Sequence, residues 1–542
     1  MSSERFSDIS ALLADFARES PSQPAAISPK GRLSAKELQD LSDRCAVGLR
    51  RHGIGPGVKT VLMVTPGLEF MVLTFGLLKA GAVIVVVDPG IGWKNLRYCL
   101  GQARPEAFVG VAKAHVGRLL FGWARSTIRT SVVVGSWRFP GWIPYSGLIH
   151  EEIDVCPQFP APDPDATVAI VFTSGSTGTP KGVIYTRRMF AAQARLLQRH
   201  FSIQPGEVDL ATFPLFALFD PAMRVTSVFP EMDFTKPGCA NPAVITTTIK
   251  RHRVTHMFGS PALLDRLGGY GERNKVKLEG VKRVLSAGAP VRSHVLSRIS
   301  AMLEDGAEIY TPYGATEALP VCSISGGEAL GEDSVGKGVC VGRPLEGVGL
   351  AIVRISDDPM LPWSDDLLAP RGQVGEIVVW GDNVSRSYYE RPEADRLAKI
   401  QGPDGQIRHR MGDLGYLDDK GRVWFCGRKS HRVTTEGGEL YTIPAESIFN
   451  QHAKVRRTAL VGLGERPRQR PVLCVELAEG WRGDDSIKSE LLALGQVQPC
   501  TRVIRDILFH RAFPVDVRHN AKIFREKLAI WAAQQLQHGG AR

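Results

Sequence analysis

The chain lacks any uncharged apolar run of about 18 residues, so nothing in it reads as a membrane-spanning helix. Its nine cysteines, scattered from Cys45 to Cys500, contain no Cys-x-x-Cys pair. That spacing argues against a zinc site, and the odd count argues against a closed disulfide framework. Such usage fits a reducing cytoplasm. The opening "MSSERFSDISALLADFARES" has no uninterrupted apolar core and is not expected to be a signal peptide. The thirteen histidines form no His-Glu-x-x-His pattern and no acidic cluster has calcium-loop spacing. Protein side chains alone are therefore not expected to build a metal centre. A net charge of +11 permits anionic ligands, but no nucleic-acid reading module accompanies it.

What is present is an ordinary globular composition, 43% hydrophobic and 23% charged, over 542 residues. That length is too great for one core, and two or more domains are expected. "SAKELQDLSDRCAVGLRRHG" (34–53) has Ser34 as a cap, Glu37 three residues on and Gly53 at the end, the marks of a capped amphipathic helix. "KTVLMVTP", the helical "GLEFMVLTFGLLKAG" and "AVIVVVDP" follow as strand, helix and strand, a βαβ unit of a parallel sheet. The alternation continues through "TVAIVFTS", "HMFGSPALLDRL" and "VKRVLSAGAP". After about residue 345, "GLAIVRI", "GEIVVWG" and "RVWFCGR" read as strands of a small β subdomain. Beyond Arg428 come two more strands, helices and a basic tail. The expected class is α/β: residues 1–428 as a large N-terminal domain of mostly parallel sheets flanked by helices, with the β subdomain, and residues 429–542 as a smaller, mobile α+β C-terminal domain.

"VFTSGSTGTPKG" (171–182) carries the most chemistry. It is not a Walker A loop, because Pro180 and Gly182 flank Lys181 where that motif needs Gly and Ser or Thr. The physics is related, however. Gly175, Gly178 and Gly182 free the backbone so that N–H groups can face an anion. Thr173, Ser174, Ser176, Thr177 and Thr179 add hydroxyl donors, and Lys181 adds a point charge. A strand before it and the helix-like "MFAAQARLLQRHF" after it distinguish it from a linker. The loop reads as a phosphate cradle.

T-S-G-S-T-G-x-P-K-G is also the signature by which the chain resembles the adenylate-forming superfamily of acyl-CoA synthetases, peptide-synthetase adenylation domains and luciferases. The other motifs follow in that family's order. The resemblance implies ATP with Mg2+, Thr173, Ser174, Gly175, Ser176, Thr177, Gly178 and Lys181 holding the outer phosphates. "SAGAP" implies Gly288, Ala289 and Pro290 at the adenine edge. "YGATE" implies Tyr313 and Gly314 against adenine, Thr316 at the α-phosphate and Glu317 helping to hold Mg2+. "MGDLGY" implies Asp413 accepting the ribose hydroxyls, and "GRK" implies Arg428 on the ribose at the domain hinge. The family's C-terminal lysine corresponds to Lys522, with Lys527 as the fallback. Here Pro514 stands eight residues before Lys522 and Ala521 replaces the family's glycine. Ser430 occupies the hinge position where thioesterifying members carry Asp or Lys.

"TFPLFALFDPAM", "TPYGATEALPV", "WFCGRK" and "FPVDVRHNAKIFREKLA" are unusual for a CoA ligase and closely resemble the β-lactone synthetases of bacterial long-chain olefin biosynthesis. The resemblance implies adenylation of a 2-alkyl-3-hydroxy fatty acid, then attack of its own 3-hydroxyl on the acyl-AMP, with no CoA. It also implies a β-lactone decarboxylase and a ketoreductase as partners. Phe213, Phe216 and Phe219 recur every three residues, suiting either an acyl channel or core packing. Asp220 suits either the β-hydroxyl or a turn before Pro221. Arg518 and His519, beside Lys522, suit either the reacting centre or the surface. A fatty acyl-CoA synthetase or acyl-AMP ligase shares the ATP site, and a docking subunit that has lost catalysis is a third reading. Residues 112–150 carry five Lys or Arg, no acid and three Trp. They read first as a sheet-covering helix, a buried strand and a loop; the same mixture also suits peripheral membrane or enzyme-partner contact.

Overall fold

The computed structural model describes residues 7–150, 159, 163–173, 179–360, 362–515 and 523–539. The Val-rich run Lys59–Met63, the helix Leu68–Ala80 and the run Val83–Val86 form the expected βαβ unit, its two strands adjacent and parallel. The helix is buried on every side from Phe70 to Ala80. A helix without a polar face has to lie inside, and this one shares a core with Ala25 and Ala26 of one sheet and Ile84 and Val109 of another. Lys79 within it is paired to Asp43 of the neighbouring helix Ala35–Arg51 at 2.8 Å. That neighbour begins with the capping box read from the sequence. Ser34 Oγ accepts from the Glu37 N–H at 3.2 Å, and Glu37 Oε2 accepts from the Ser34 N–H at 2.7 Å. Such a cap contributes about 1 kcal/mol.

Two seven-stranded sheets make the bulk of the α/β region. In the first, Ile143–Pro144, Thr130–Val134, Ala107–Val111, Lys59–Met63, Val83–Val86 and Thr167–Phe172 run parallel, and Gly182–Thr186 closes the edge antiparallel to Thr167–Phe172. The second runs Glu308–Tyr310, Arg283–Leu285, His256–Phe258, Val208–Leu210, Thr226–Val228 and Pro24–Ser28 in parallel, with Gly31–Ser34 antiparallel at its edge. Helices cover both, as parallel strands buried on two faces require.

The third sheet has eight strands, paired antiparallel. It contains the expected strands Gly349–Val353, Gly375–Trp380 and Val423–Arg428. It starts earlier than residue 345, however, because Tyr313–Ala315 and Ala318–Ser323 fold back as its first hairpin. A three-residue strand with Gly in its middle leaves no alternation to detect.

After Arg428 a small hairpin, Val433–Thr435 with Gly438–Leu440, precedes a three-stranded sheet of Val455–Leu463, Arg470–Leu477 and Asp506–Phe509. The helices Thr442–Phe449, Asp485–Val497 and Arg525–Gly539 pack on it. The described cysteines are all free, and no helix among the described residues is long and apolar enough to cross a membrane.

Candidate active site

The phosphate-loop candidate joins the last parallel strand of the first sheet to its antiparallel edge. Phe172 faces Gly182 in register, and the Thr173 N–H donates to the Lys181 carbonyl at 3.0 Å, closing the neck of the loop. A Cβ on Gly182 would come within 2.7 Å of Ile170 Cγ2, so this neck needs glycine. Ser174, Gly175, Ser176, Thr177 and Gly178 lie outside the described residues. At the neck, the Lys181 ammonium stands 5.0 Å from the centre of the Tyr388 ring.

Tyr388 was not marked by any sequence motif. It sits in an extended segment, 384–389, that stitches two motif regions together. Tyr388 bridges Val183, the Tyr389 N–H donates to the Gly182 carbonyl at 2.7 Å, and the Ser385 N–H donates to the Glu317 carbonyl at 2.8 Å. The Tyr388 phenol donates to Glu317 Oε1 at 2.8 Å. Burial first, and the Glu317 charge second, push the phenol far up, so it stays a donor. A second ammonium, that of Lys399, lies 5.2 Å from the same ring and donates to the Ser385 carbonyl. Burial pulls Lys399 down to about 8, against Glu317 and Asp395, which pull it back up. Asp395 Oδ1 accepts from the Tyr388 N–H at 2.8 Å. His409 is buried nearby; burial, then the Lys399 charge, hold it well below its ordinary value and so neutral.

The segment bearing Glu317 is itself held tightly. A Cβ on Gly314 would meet the Ala318 carbonyl oxygen at 2.8 Å, so the hairpin closes only with glycine there. The Thr316 carbonyl accepts from the Tyr185 phenol at 2.7 Å. Tyr313, on the edge strand of the third sheet, donates to Asp413 Oδ2 on another strand of that sheet at 2.7 Å. Asp413 faces Arg428 in register on the adjacent strand, and the guanidinium lies 3.0 Å from Asp413 Oδ1. Arg428 spends its hydrogen bond on the Met411 carbonyl at 3.1 Å, which leaves Oδ1 buried without one. Burial pushes the Asp413 carboxyl above the usual range, while Arg428 and Tyr313 hold it down part of the way. A buried acceptor beside a fixed cation is completed by a hydroxyl donor, as a ribose would supply. Thus Lys181, Glu317, Tyr313, Asp413 and Arg428, which are spread over about half of the sequence, meet through Tyr388, Ser385 and the third sheet.

A sequence profile described as AMP-binding enzyme matches residues 13–389. The chain belongs to this family. It is therefore an adenylate-forming, AMP-releasing ligase with the family's α/β fold. Among curated relatives, the olefin beta-lactone synthetase of Xanthomonas campestris pv. campestris is 46% identical, over 97% of this chain and 98% of its own length. The enzyme of that name from Stenotrophomonas maltophilia is 45% identical, over 98% of this chain and 99% of its own. Among solved structures, the amide bond synthetase McbA from Marinactinospora thermotolerans matches with a TM-score of 0.78 at 21% identity, covering 96% of this chain and 99% of that one. The O-succinylbenzoate coenzyme A synthetase of Bacillus subtilis, in complex with ATP and magnesium ion, matches with a TM-score of 0.76 at 20% identity, covering 95% and 98%. At such identities these structures speak for the fold alone.

The remaining candidates are distributed around this centre. Gly288, at φ +93°, with Ala289 and Pro290, forms the turn after the strand Arg283–Leu285. Phe216 stacks on Phe258 at 4.6 Å, Phe213 lies 5.5 Å from both, and Phe219 is fully packed beneath. Asp220 opens the short helix Asp220–Met223, but its carboxylate turns inward: Oδ2 accepts from Ser227 Oγ at 2.6 Å. Burial pushes it up to about 7 beside Asp209, whose carboxyl is raised well above the ordinary range by burial and by Asp220. Lys527 is exposed with its ammonium 4.9 Å from the Phe524 ring, and Ser430 is exposed on the turn after Arg428. Lys522, His519 and Arg518 lie outside the described residues. Among the described residues no three His, Cys, Asp or Glu groups are placed to hold a metal ion.

Proposed function

We propose that this enzyme is an ATP-dependent β-lactone synthetase acting on a 2-alkyl-3-hydroxy fatty acid. The observation that carries the proposal is the 45–46% identity, end to end, with two olefin beta-lactone synthetases. In the first step the carboxylate attacks the α-phosphorus of ATP and pyrophosphate leaves, giving the acyl-AMP. In the second, the 3-hydroxyl oxygen attacks the acyl carbon, the hydroxyl proton is lost, and AMP leaves as the four-membered ring closes. An intramolecular nucleophile has a high effective concentration once held in a near-attack pose, so no CoA is needed.

The residues support this chemistry. Lys181 and the loop 173–182 would hold the outer phosphates. Thr316 would meet the α-phosphate, and Lys522 would bring a cation to the charge that develops there. Asp413 and Arg428 would fix the ribose, with Tyr313 oriented by its bond to Asp413 and the turn 288–290 at the adenine edge. Magnesium carried in with ATP would neutralise phosphate charge, and the Glu317 carboxylate is the described group that suits it. Phe213 and Phe216, half-buried beside Phe258, offer an apolar wall for the alkyl chain. Asp220 supports that wall from below, through Ser227 and Asp209, and is not assigned to the hydroxyl. Residues 429–542, with their own sheet and apolar clusters, act as the smaller unit that carries Lys522. The resemblance to olefin beta-lactone synthetases further implies a ketoreductase and a β-lactone decarboxylase as partners, which we place with this enzyme in one assembly.

The test uses purified protein, ATP, Mg2+ and a synthetic 2-alkyl-3-hydroxy acid with CoA omitted. Proton NMR of the organic extract should show β-lactone ring protons in step with AMP. AMP or acyl-AMP without lactone, converted to thioester on adding CoA, would make the enzyme an acyl-CoA synthetase instead.

A further inference from the structure

The helix Ala112–Phe121 is built inside out. Its buried side chains are His115 and Arg118. The His115 Nε2–H donates to the Val132 carbonyl at 2.9 Å; Arg118 donates to Ser131 Oγ at 3.2 Å and lies over the Phe108 and Trp142 rings. Apart from Lys113, its exposed side chains are apolar: Val116, Leu119, Leu120 and Phe121 are 40%, 57%, 75% and 46% exposed. A helix that only covers a sheet has the opposite pattern, and exposed apolar groups in a cluster are the informative kind.

The apolar face continues beyond the helix. Phe121 stacks on Trp93 at 5.9 Å, and Trp93 is 53% exposed with the Lys94 ammonium 5.5 Å from its ring. On the other side, Phe139 stacks on Trp142 at 4.6 Å, and Trp142 lies 4.2 Å from the His115 ring, tying the loop with exposed Trp137 to the helix. The charge around this face is predominantly positive. Lys94, Arg97, Lys113, Arg125, Arg129 and Arg138 are exposed, while Glu106, half-buried, is the only acid between Trp93 and Trp142. Arg391 extends the basic rim beside Tyr98, where Glu390 is the neighbouring acid.

We infer that this face docks the enzyme on an anionic lipid surface, with Leu119, Leu120, Phe121 and Trp93 entering the headgroup region and the lysines and arginines pairing with lipid phosphates. A protein partner would favour a broad apolar centre cleared of charge. Here single apolar side chains project between basic ones, with Trp at the margin, which suits an interface that is apolar below and anionic above. The inference stands apart from ring closure; a doubly alkylated substrate merely gives the docking a use.

The test is co-sedimentation of the full chain with vesicles of phosphatidylcholine, with and without phosphatidylglycerol. The expected result is binding to the phosphatidylglycerol vesicles that is lost in about 1 M salt, where the screening length falls to ~3 Å. Leu119→Glu with Leu120→Glu, both at exposed positions, should lower partitioning at least about tenfold. AMP formation on a short-chain, water-soluble hydroxy acid should stay unchanged. Lys113→Glu with Arg138→Glu should abolish the preference for phosphatidylglycerol. A chain that stays in the supernatant at low salt, or a leucine double variant that partitions like the parent, overturns the inference. So does a leucine double variant whose sole effect is to turn an oligomer into a monomer, which would assign the face to a second copy.

Discussion

The Tyr388 phenol donates to Glu317 Oε1 at 2.8 Å, across 71 residues of sequence. The Lys181 and Lys399 ammonium groups lie 5.0 and 5.2 Å from the centre of the same ring. Tyr388 therefore positions the carboxylate and gathers cations around it.

Tyr388→Phe keeps the ring and removes the donor. A hydrogen bond to a charged group contributes about 1.5–3 kcal/mol. The half-saturating Mg2+ concentration for pyrophosphate release should rise about tenfold, and Tm should fall by a few degrees. An unaltered Mg2+ titration would mean that Glu317 does not depend on this bond.

Asp413→Asn preserves shape but removes the charge and one acceptor beside Arg428. KM for ATP should rise roughly 10- to 100-fold, the scale of one lost charge-assisted hydrogen bond. Deoxy-ATP analogues separate this from a general loosening. The parent enzyme should discriminate against them and the variant should not. Equal discrimination by both would remove Asp413 from the ribose. Tyr313→Phe should lie between the two.

Lys522→Ala should lower the rate of acyl-AMP formation by roughly 100- to 1000-fold, the scale seen when one group facing developing charge is removed. ATP binding, followed by isothermal calorimetry, should change little. Lys527→Ala, at an exposed position on the following helix, should behave like the parent. A reversal of those two results would move the catalytic cation to Lys527.

The buried pair Asp209–Asp220 sets a pH dependence of stability. Burial raises both carboxyls above the unfolded value of 3.8, Asp220 to about 7. Between those limits the native state holds more protons than the unfolded chain, so the pair's contribution falls as pH rises from about 4 through 7. His256 faces Asp209 at 3.8 Å and Glu207 at 3.4 Å; held low by burial, it contributes the opposite slope below its own unfolded value. Asp209→Asn should remove the Asp209 share of the carboxyl slope, up to ~1.4 kcal/mol per pH unit, and leave the share of Asp220, whose carboxyl burial still raises. Urea midpoints from pH 5 to 8 should then decline less steeply in the variant than in the parent. Parallel curves would show that the Asp209 carboxyl is not raised by burial in the native state.

Most of the centre could be read from sequence because its loops are local. The strand–loop–Lys181 hairpin, Tyr313 to Glu317, and Asp413 and Arg428 each lie in short strings whose composition states their chemistry. The capping box at Ser34 and Glu37 and the βαβ unit from Lys59 to Val86 were legible for the same reason. Tyr388, Lys399 and His409 were not, because their roles come from the bridge to Val183 and the bond to Glu317, pairings that no local periodicity encodes. Asp220 looked like a candidate for the substrate hydroxyl or a turn cap because its real neighbours, Asp209 and Ser227, belong to adjacent strands. The helix at 112–121 gave no clean amphipathic signal because Leu119, Leu120 and Phe121 are consecutive and spread over more than half a turn, and periodicity does not say which face is buried.

Heavy-oxygen labelling distinguishes activation of the carboxylate, with the 3-hydroxyl as nucleophile, from activation of the hydroxyl. With both carboxylate oxygens labelled, one labelled oxygen should appear in AMP and one in the lactone carbonyl. With only the 3-hydroxyl labelled, the label should appear in the lactone ring and none in AMP. Label passing from the 3-hydroxyl into AMP would instead show that the hydroxyl is activated and the carboxylate attacks.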